Sequence, residues 1–202
     1  LGISLGLSVA ATIRAYNGSK KVNSKVVRLQ GAAEFELMEG TNLSQILANK
    51  IDCEAMMIPS PWMLPNSDVR DTIMQEQSVQ KTLETAKNAD IGLVGLGTLD
   101  PAYSTILRNK LISTRELNEF RAKGAVGEVL GLHYTMDGAP ADIEFNDRVV
   151  AISLDDLSKI DTVIAVAAGI QKVDPLLGAI HGGLVNIVVT DSDAARELLA
   201  HP

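Results

Sequence analysis

Cysteine and aromatic residues are scarce in this chain. Of its 202 residues only Cys53 is a cysteine, and Phe, Trp and Tyr together make up 3%. A single thiol excludes an intrachain disulfide and the multi-cysteine site of a structural zinc. The scarcity of cysteine is typical of a reducing compartment, and we expect a cytoplasmic protein.

Positive charge is also in short supply. The 18 Lys and Arg residues are outnumbered by 25 Asp and Glu residues, which gives a formal net charge of −7. Since nucleic acids and anionic membranes are bound by basic surfaces, this chain alone is not expected to bind DNA, RNA or a membrane. Its longest apolar run, residues 160–168, is interrupted by Asp161 and Thr162 and is far shorter than the roughly 20 residues of a membrane helix.

What the chain does have is the alternating pattern of an α/β domain. Apolar residues make up 46%, and the length suits one domain over residues 1–202, whose first strand we expect to be truncated at Leu1. Runs rich in Val and Ile predict strands at 26–29, 54–58, 91–95, 162–166 and 185–189. Segments of helical period predict helices at 9–16, 43–49, 67–87, 114–123, 175–180 and 192–200. The alternation predicts a mostly parallel, doubly wound sheet.

One stretch breaks this alternation. Residues 127–134 and 148–152 have strand patterns and lie on either side of a turn signal at 136–140. We therefore predict a small antiparallel excursion around residues 127–152, embedded in the α/β domain.

The first candidate site is the Gly- and Ser-bearing turn that follows the opening strand. A helix start after Gly6 presents free N–H groups, and the hydroxyls of Ser4 and Ser8 would add to the attraction for a phosphate or carboxylate. An ordinary turn that needs Gly6 for a positive φ explains the pattern equally well. The turn is not a Walker loop, because no Gly-Lys-Ser/Thr follows.

Two further turns follow predicted strands. Gly97 and Thr98 come after the strand that begins at residue 91, at the sheet edge where ligands of open α/β sheets bind, although an ordinary tight loop fits too. Lys172 stands in the first turn of a helix, where the dipole disfavours a cation, which suggests a nearby anion. Neutralisation by Asp174, or simple solvation, is the alternative.

Among the acids, Glu128 enters an apolar strand from a Gly-rich turn and could accept hydroxyl groups of a sugar, or lie on the surface. Glu34, Glu36 and Glu39 fit a solvated face. The three histidines lack metal-ligand spacing, and no Ser–His–Asp arrangement can be assigned. We predict no metal site and no cofactor.

Together, several blocks of the sequence resemble the effector-binding domain of SorC-type (SorC/DeoR) bacterial transcriptional regulators. The blocks, whose order and spacing cover nearly the whole chain, are residues 2–8, 95–98, 123–128, 137–138, 146–152, 154–157, 166–172 and 182–191. The resemblance implies a fold similar to sugar-phosphate isomerases of the NagB/RpiA type. It also implies a phosphorylated sugar or related metabolite bound at the carboxyl edge of the sheet.

The resemblance assigns roles to individual residues. Gly6, Leu7 and Ser8 would cradle the phosphate, Glu128 would bind hydroxyls, and Lys172 would contact the anion. The full predicted effector-binding set is Ser4, Gly6, Leu7, Ser8, Gln30, Gly31, Gly97, Thr98, Glu128 and Lys172.

Three positions depart from the family pattern. Gln30 stands where a basic residue is frequent, and it cannot form the Schiff base that a lysine there forms with an aldose. Thr135 replaces an aspartate, and Ala168 replaces the first glycine of a pair. These departures bear on the identity of the ligand more than on the fold.

The resemblance further implies a homo-oligomer, dimer or tetramer, whose operator DNA is contacted through an N-terminal helix-turn-helix domain absent from this chain. The function expected is a ligand sensor that modulates DNA binding by the full-length protein. The alternative is a sugar-phosphate isomerase or deaminase on the same fold, with Glu128 as the only acid that could be placed near the ligand.

Overall fold

The computed structural model describes residues 1–18, 23–33 and 42–201, so Glu34, Glu36 and Glu39 lie outside the described residues. The strands are β1 (Gly2–Ile3), β2 (Lys25–Arg28), β3 (Glu54–Met56), β4 (Ile91–Val94), β5 (Gly97–Thr98), β6 (Ala125–Val129), β7 (Leu132–Thr135), β8 (Thr162–Val166) and β9 (Ile187–Val189). The helices are α1 (Leu7–Ala15), α2 (Leu43–Ile51), α3 (Ser67–Met74), α4 (Gln77–Lys87), α5 (Thr105–Arg108), α6 (Thr114–Ala122), α7 (Leu154–Ser158), α8 (Val173–His181) and α9 (Ser192–Ala200), with 3-10 turns at Asn146–Arg148 and Ile170–Lys172.

The main sheet has six strands in the order β3-β2-β1-β4-β8-β9, and every neighbouring pair is parallel. This confirms the predicted mostly parallel α/β sheet. The order steps outward from β1 and β4 in both directions, so the carboxyl ends of these two central strands lie side by side. Such a point is where open α/β sheets bind their ligands.

Helices cover the two faces of the sheet. On one, which we call the α1/α2 face, Ile3 of β1 and Val26 of β2 pack against residues of α1 and α2 such as Ile13 and Leu47. On the opposite, α4/α8 face, the core includes Leu83, Leu157 and Leu176 of α4, α7 and α8. Parallel strands are connected by right-handed crossovers, so connections that step in opposite directions place their helices on opposite faces.

The helix predicted at 67–87 is two helices, α3 and α4. The chain leaves α3 at Gln75, and Glu76 is extended (φ −62°, ψ 130°) before α4 begins. The physical reason is burial, because α3 has no buried residue whereas α4 buries Val79 and Leu83 against the sheet. Helical periodicity continues across the break, which hides it in the sequence.

The antiparallel excursion is present, but its strands differ from those predicted. The stretch 127–134 is a hairpin of β6 and β7, turned by Leu130 (φ 59°) and Gly131 (φ 84°), and β5 adds a third strand beside β6. Residues 148–152 are not a strand and make only isolated bridges, Met63 with Val149 and Gln30 with Ala151. A leucine in the left-handed conformation is uncommon, which is why the turn is hard to recognise.

A candidate ligand site at the carboxyl edge of the sheet

Ser4 joins the turns that follow the two central strands. Its hydroxyl donates to the carbonyl of Leu5 (2.8 Å) and accepts from the N–H of Gly95 (3.0 Å). The side chain is buried, so in this conformation it orders the edge of the sheet rather than facing solvent. Gly6 follows with φ of +142°, a conformation that favours glycine, and a β-carbon on it would lie 3.9 Å from Cα of Gly95.

Gly6 is the N-cap residue of helix α1, and no side chain caps this end of the helix. Its first intrahelical bond runs from Ala10 N to Gly6 O (2.9 Å), so the preceding N–H groups of the first turn have no acceptor within the helix. Leu7 is 76% exposed and Ser8 is half-buried, which leaves this end of the helix accessible. Free N–H groups and the positive end of the helix dipole make it suited to an anion.

The end of β2 contributes Gln30. Its Oε1 accepts a hydrogen bond from Leu5 N (3.2 Å), and its Nε2 has no partner among the described residues. The neighbouring Gly31 is packed against protein, because its N–H donates to Val150 O and a β-carbon on it would come within 2.6 Å of the carbonyl oxygens of Ser60 and Pro61. The structure therefore places Gln30 beside the α1 turn and Gly31 in a closely packed loop contact.

Glu128 reaches the same edge from the small antiparallel sheet. It is the ladder partner of Gly97, and a β-carbon on that glycine would overlap the Glu128 side chain. The carboxylate Oε2 accepts from Gly131 N (3.0 Å). Thr98 is buried, and its hydroxyl accepts from Asp100 N (3.2 Å), so it shapes the loop after β5.

Lys172 approaches from the turn after β8. Gly169 has φ of +101°, and its N–H donates to the carboxylate of Asp191. From this turn Lys172 reaches the segment between β4 and β5, where its Nζ donates to the carbonyl of Leu96 (2.6 Å). Among the described residues Asp174 forms no ion pair with Lys172, so the cation is directed to the edge of the sheet.

At this edge the charges of Lys172 and Glu128 each counteract the effect of burial on the pKa of the other. Burial lowers the pKa of Lys172, an effect that the negative charge of Glu128 resists. Burial likewise raises the pKa of Glu128, against the positive charge of Lys172 and the N–H of Gly131. Within the described ranges no ion pair joins the two side chains. A cation and a carboxylate that are desolvated but not in contact can be bridged by a ligand carrying both an anionic group and hydroxyls.

Arg28 is a buried cation for which the sequence predicts no role. It is the last residue of β2, two residues before Gln30 in the chain, and is only 1% exposed. The signal in the sequence is a charged residue inside the otherwise apolar run 26–29. His133 is also buried, but it belongs to the core, where its ring packs between Phe120 and Phe145 (centroid distances 5.0 and 5.2 Å).

Within residues 1–18, 23–33 and 42–201, no group of three or more His, Cys, Asp or Glu residues is placed to hold a metal ion. In the same part of the chain, no helix combines the length and the apolar character needed to cross a bilayer.

These features define a small-molecule-binding domain of the doubly wound α/β class. The chain belongs to the Sugar-bind family, because residues 1–200 match the model of that family, which is described as "Putative sugar-binding domain". The resemblance to SorC/DeoR-type regulators is thereby confirmed.

Curated relatives and solved structures agree with this family. The transcriptional regulator LsrR of Enterobacter sp. is 34% identical over 202 residues, covering 99% of this chain and 61% of the relative. The erythritol catabolism regulatory protein EryD of Brucella abortus is 25% identical over 156 residues, covering 77% of this chain and 49% of the relative. The chain thus spans about six tenths or less of the length of these regulators.

Two solved structures share the fold. The full-length sorbitol operon regulator SorC of Klebsiella pneumoniae superposes with a TM-score of 0.89 at 24% identity, covering 98% of this chain and 65% of that one. A DeoR family transcriptional regulator from Listeria monocytogenes gives a TM-score of 0.88 at 24% identity, with 98% and 78% covered.

Proposed function

We propose that this chain is the effector-sensing domain of a bacterial transcriptional regulator and that it binds a phosphorylated sugar or a related metabolite. The observation that carries the proposal is the position of Lys172, whose Nζ lies 2.6 Å from Leu96 O. Leu96 follows Gly95, which lies against Gly6 at the start of α1. The cation of Lys172 and the N-terminus of α1 therefore lie on either side of the turn that contains Gly95 and Leu96.

In this arrangement the phosphate lies at the N–H groups of Leu7 and Ser8, with Lys172 as counter-ion. Glu128 accepts hydrogen bonds from sugar hydroxyls, and the free Nε2 of Gln30 donates to the ligand. The name of EryD refers to erythritol catabolism, which supports a sugar or polyol skeleton for the effector.

We propose that the complete protein is longer than this chain, as are the relatives of which the chain covers 61% and 49%, and that it contacts operator DNA through an N-terminal helix-turn-helix domain. It acts in the cytoplasm as a homo-oligomer, a dimer or a tetramer. The effector changes DNA binding only if it binds two conformations of the oligomer with different affinity.

Thermal unfolding and calorimetry with a panel of phosphorylated sugars and their unphosphorylated counterparts test the proposal. Binding to the native state alone stabilises it by about 2.7 kcal/mol at a ligand concentration 100 times Kd. We expect a rise in Tm and measurable heat with at least one phosphorylated sugar and a weaker effect without the phosphate. No shift and no heat across the panel would contradict the sensor function, and turnover of the bound sugar would favour the isomerase alternative.

A further inference from the structure

Trp62 lies in a loop that is bonded to the segment following β2. Its N–H donates to the carbonyl of Ala32 (3.0 Å), and its carbonyl accepts from the N–H of Val150 (2.7 Å). The carbonyl of Val150 in turn accepts from the N–H of Gly31 (2.9 Å). The backbone of this tryptophan, the only one in the sequence, is therefore fixed on both sides beside the segment that contributes Gln30.

The indole of Trp62 packs against the turn between β6 and β7. A β-carbon on Gly131 would overlap Cζ3 and Cε3 of the indole, so the ring lies directly against the α-carbon of this glycine. The indole also lies near the buried ring of Phe145, at a centroid distance of 6.1 Å. Tryptophan at position 62 and glycine at position 131 are therefore matched, because a side chain on Gly131 would displace the indole.

This turn holds the carboxylate of Glu128, whose Oε2 accepts from the N–H of Gly131 (3.0 Å). The two residues of the turn, Leu130 and Gly131, have φ of 59° and 84°. The left-handed conformation is unfavourable for leucine, and such a conformation persists where the surrounding structure imposes it. The packing of Trp62 on Gly131 is a contact that can impose it.

We propose that Trp62 is a positioning residue for Glu128, because its indole holds the β6–β7 turn in the conformation that presents the N–H of Gly131 to the carboxylate. The consequence for specificity rests on the proposed function, in which Glu128 binds sugar hydroxyls and Lys172 is the counter-ion of the phosphate. Trp62 then affects recognition of the sugar and leaves the phosphate contact intact. Its effect on the hydrogen bond between Gly131 and Glu128 does not depend on a ligand, so the two can be measured separately.

Exchange and titration of the Gly131 amide test the positioning directly. Trp62→Leu keeps an apolar side chain and removes the indole, so we expect this amide to exchange about tenfold faster or more, relative to the amides of β8, which report on global stability. In an NMR pH titration the amide shift of Gly131 should follow the protonation of Glu128 in the parent and lose that dependence in the variant. Trp62→Phe, which keeps an aromatic ring near Phe145, should give smaller changes.

Met63→Ala is the matched control. Met63 is the next residue in the chain and is likewise partly buried against the same core, but the atoms nearest to a β-carbon on Gly131 belong to Trp62 and Val149. The Gly131 amide should keep its exchange rate and its titration in this variant. The inference would be overturned if Trp62→Leu left both unchanged, or if Met63→Ala altered them equally.

Calorimetry then separates the sugar from the phosphate. We expect Trp62→Leu to lower the affinity for the tightest-binding phosphorylated sugar of the panel about tenfold and to leave the affinity for inorganic phosphate unchanged. In a Glu128→Gln background the same substitution should cause no further loss, because both substitutions act through one carboxylate. Equal losses with both ligands, or additive losses in the double variant, would refute the positioning role. If no phosphorylated sugar bound the parent, the proposed function would fail, and the Gly131 measurements would still decide whether Trp62 positions Glu128.

Discussion

Glu128 lies directly across the α-carbon of Gly97. The two residues are ladder partners in neighbouring antiparallel strands, and a β-carbon on Gly97 would come closer than 3.0 Å to Oε1, Cγ and Cδ of Glu128. The carboxylate is held from its other side by the N–H of Gly131 (3.0 Å). The absence of a side chain at one residue therefore sets the position of the acid at the candidate site.

Replacing Gly97 by alanine should displace Glu128 and weaken effector binding. We expect Gly97→Ala to lower the affinity for a phosphorylated sugar by about tenfold or more, or about 1.4 kcal/mol, with a loss of unfolding free energy of about 1–3 kcal/mol from overpacking. Calorimetric titration and urea unfolding measure the two effects.

The matched control is Gly92→Ala, at a glycine of β4, the strand that precedes β5 in the chain. A β-carbon there would meet Val163 at 3.5 Å, an ordinary contact, so affinity should be unchanged. If Gly97→Ala bound the effector as tightly as the parent, Glu128 would have no part in recognition.

The fold was predictable because each parallel strand is a local run of apolar residues between helical segments. The pairing of Gly97 with Glu128 could not be predicted, because it joins residues far apart in the chain and no hydrophobic periodicity of the sequence indicates it. The β6–β7 turn was missed for a local reason, since Leu130 adopts a left-handed conformation that its side chain does not favour.

Some residues of the candidate site could be selected from the sequence, but their contacts in the folded chain could not. The poor electrostatic position of Lys172 at a helix start predicts a ligand contact from sequence, and in the structure its Nζ donates to Leu96 O. Ser4 and Gly31 were also selected, but their partners, Gly95 and the loop at Ser60, are distant in sequence. Only the folded chain distinguishes a residue that orders the site from one that faces the ligand.

Lys172→Met should remove the cation while keeping much of the apolar stem. We expect the affinity for phosphorylated sugars to fall by tenfold or more, because a charge-assisted hydrogen bond to an anion contributes about 1.5–3 kcal/mol. The affinity for the unphosphorylated sugar should change much less. Calorimetry with the paired ligands measures both.

Lys123→Met controls for the loss of a lysine. Lys123 also donates to a backbone carbonyl, that of Asp142 (2.7 Å), but it lies at the end of α6 away from the candidate site. Equal losses of affinity in the two variants would mean that net charge, and not a contact of Lys172, attracts the ligand.

The serines of the first turn should separate stability from binding. Ser4→Ala leaves the partly buried N–H of Gly95 without its acceptor, so we expect a loss of about 1 kcal/mol or more in unfolding free energy. The hydroxyl of Ser8 has no partner among the described residues, so Ser8→Ala should weaken phosphate binding and leave stability within about 0.5 kcal/mol. Urea unfolding and calorimetric titration of both variants measure the two effects. If Ser8→Ala were destabilised and bound phosphate normally, Ser8 would have a structural role and no part in phosphate binding.

His133 should make the domain sensitive to mild acid. Burial lowers the pKa of its imidazole from 6.5 to about 4, because neither ring nitrogen has a hydrogen-bond partner among the described residues that would stabilise the charged form. Between these two values the unfolded chain binds a proton that the folded chain does not. Stability is therefore complete above pH 6.5 and is lost as the pH falls toward 4, by up to about 3 kcal/mol from this residue.

His133→Leu should flatten this dependence, because leucine fills a similar volume without a titrating ring and the backbone bonds to Asn146 stay intact. We expect the difference in unfolding free energy between pH 7 and pH 5, measured by urea titration, to shrink in this variant. His201→Leu is the control, since His201 is exposed at the end of α9 and should leave the difference unchanged. An undiminished difference in His133→Leu would assign the acid sensitivity to other groups.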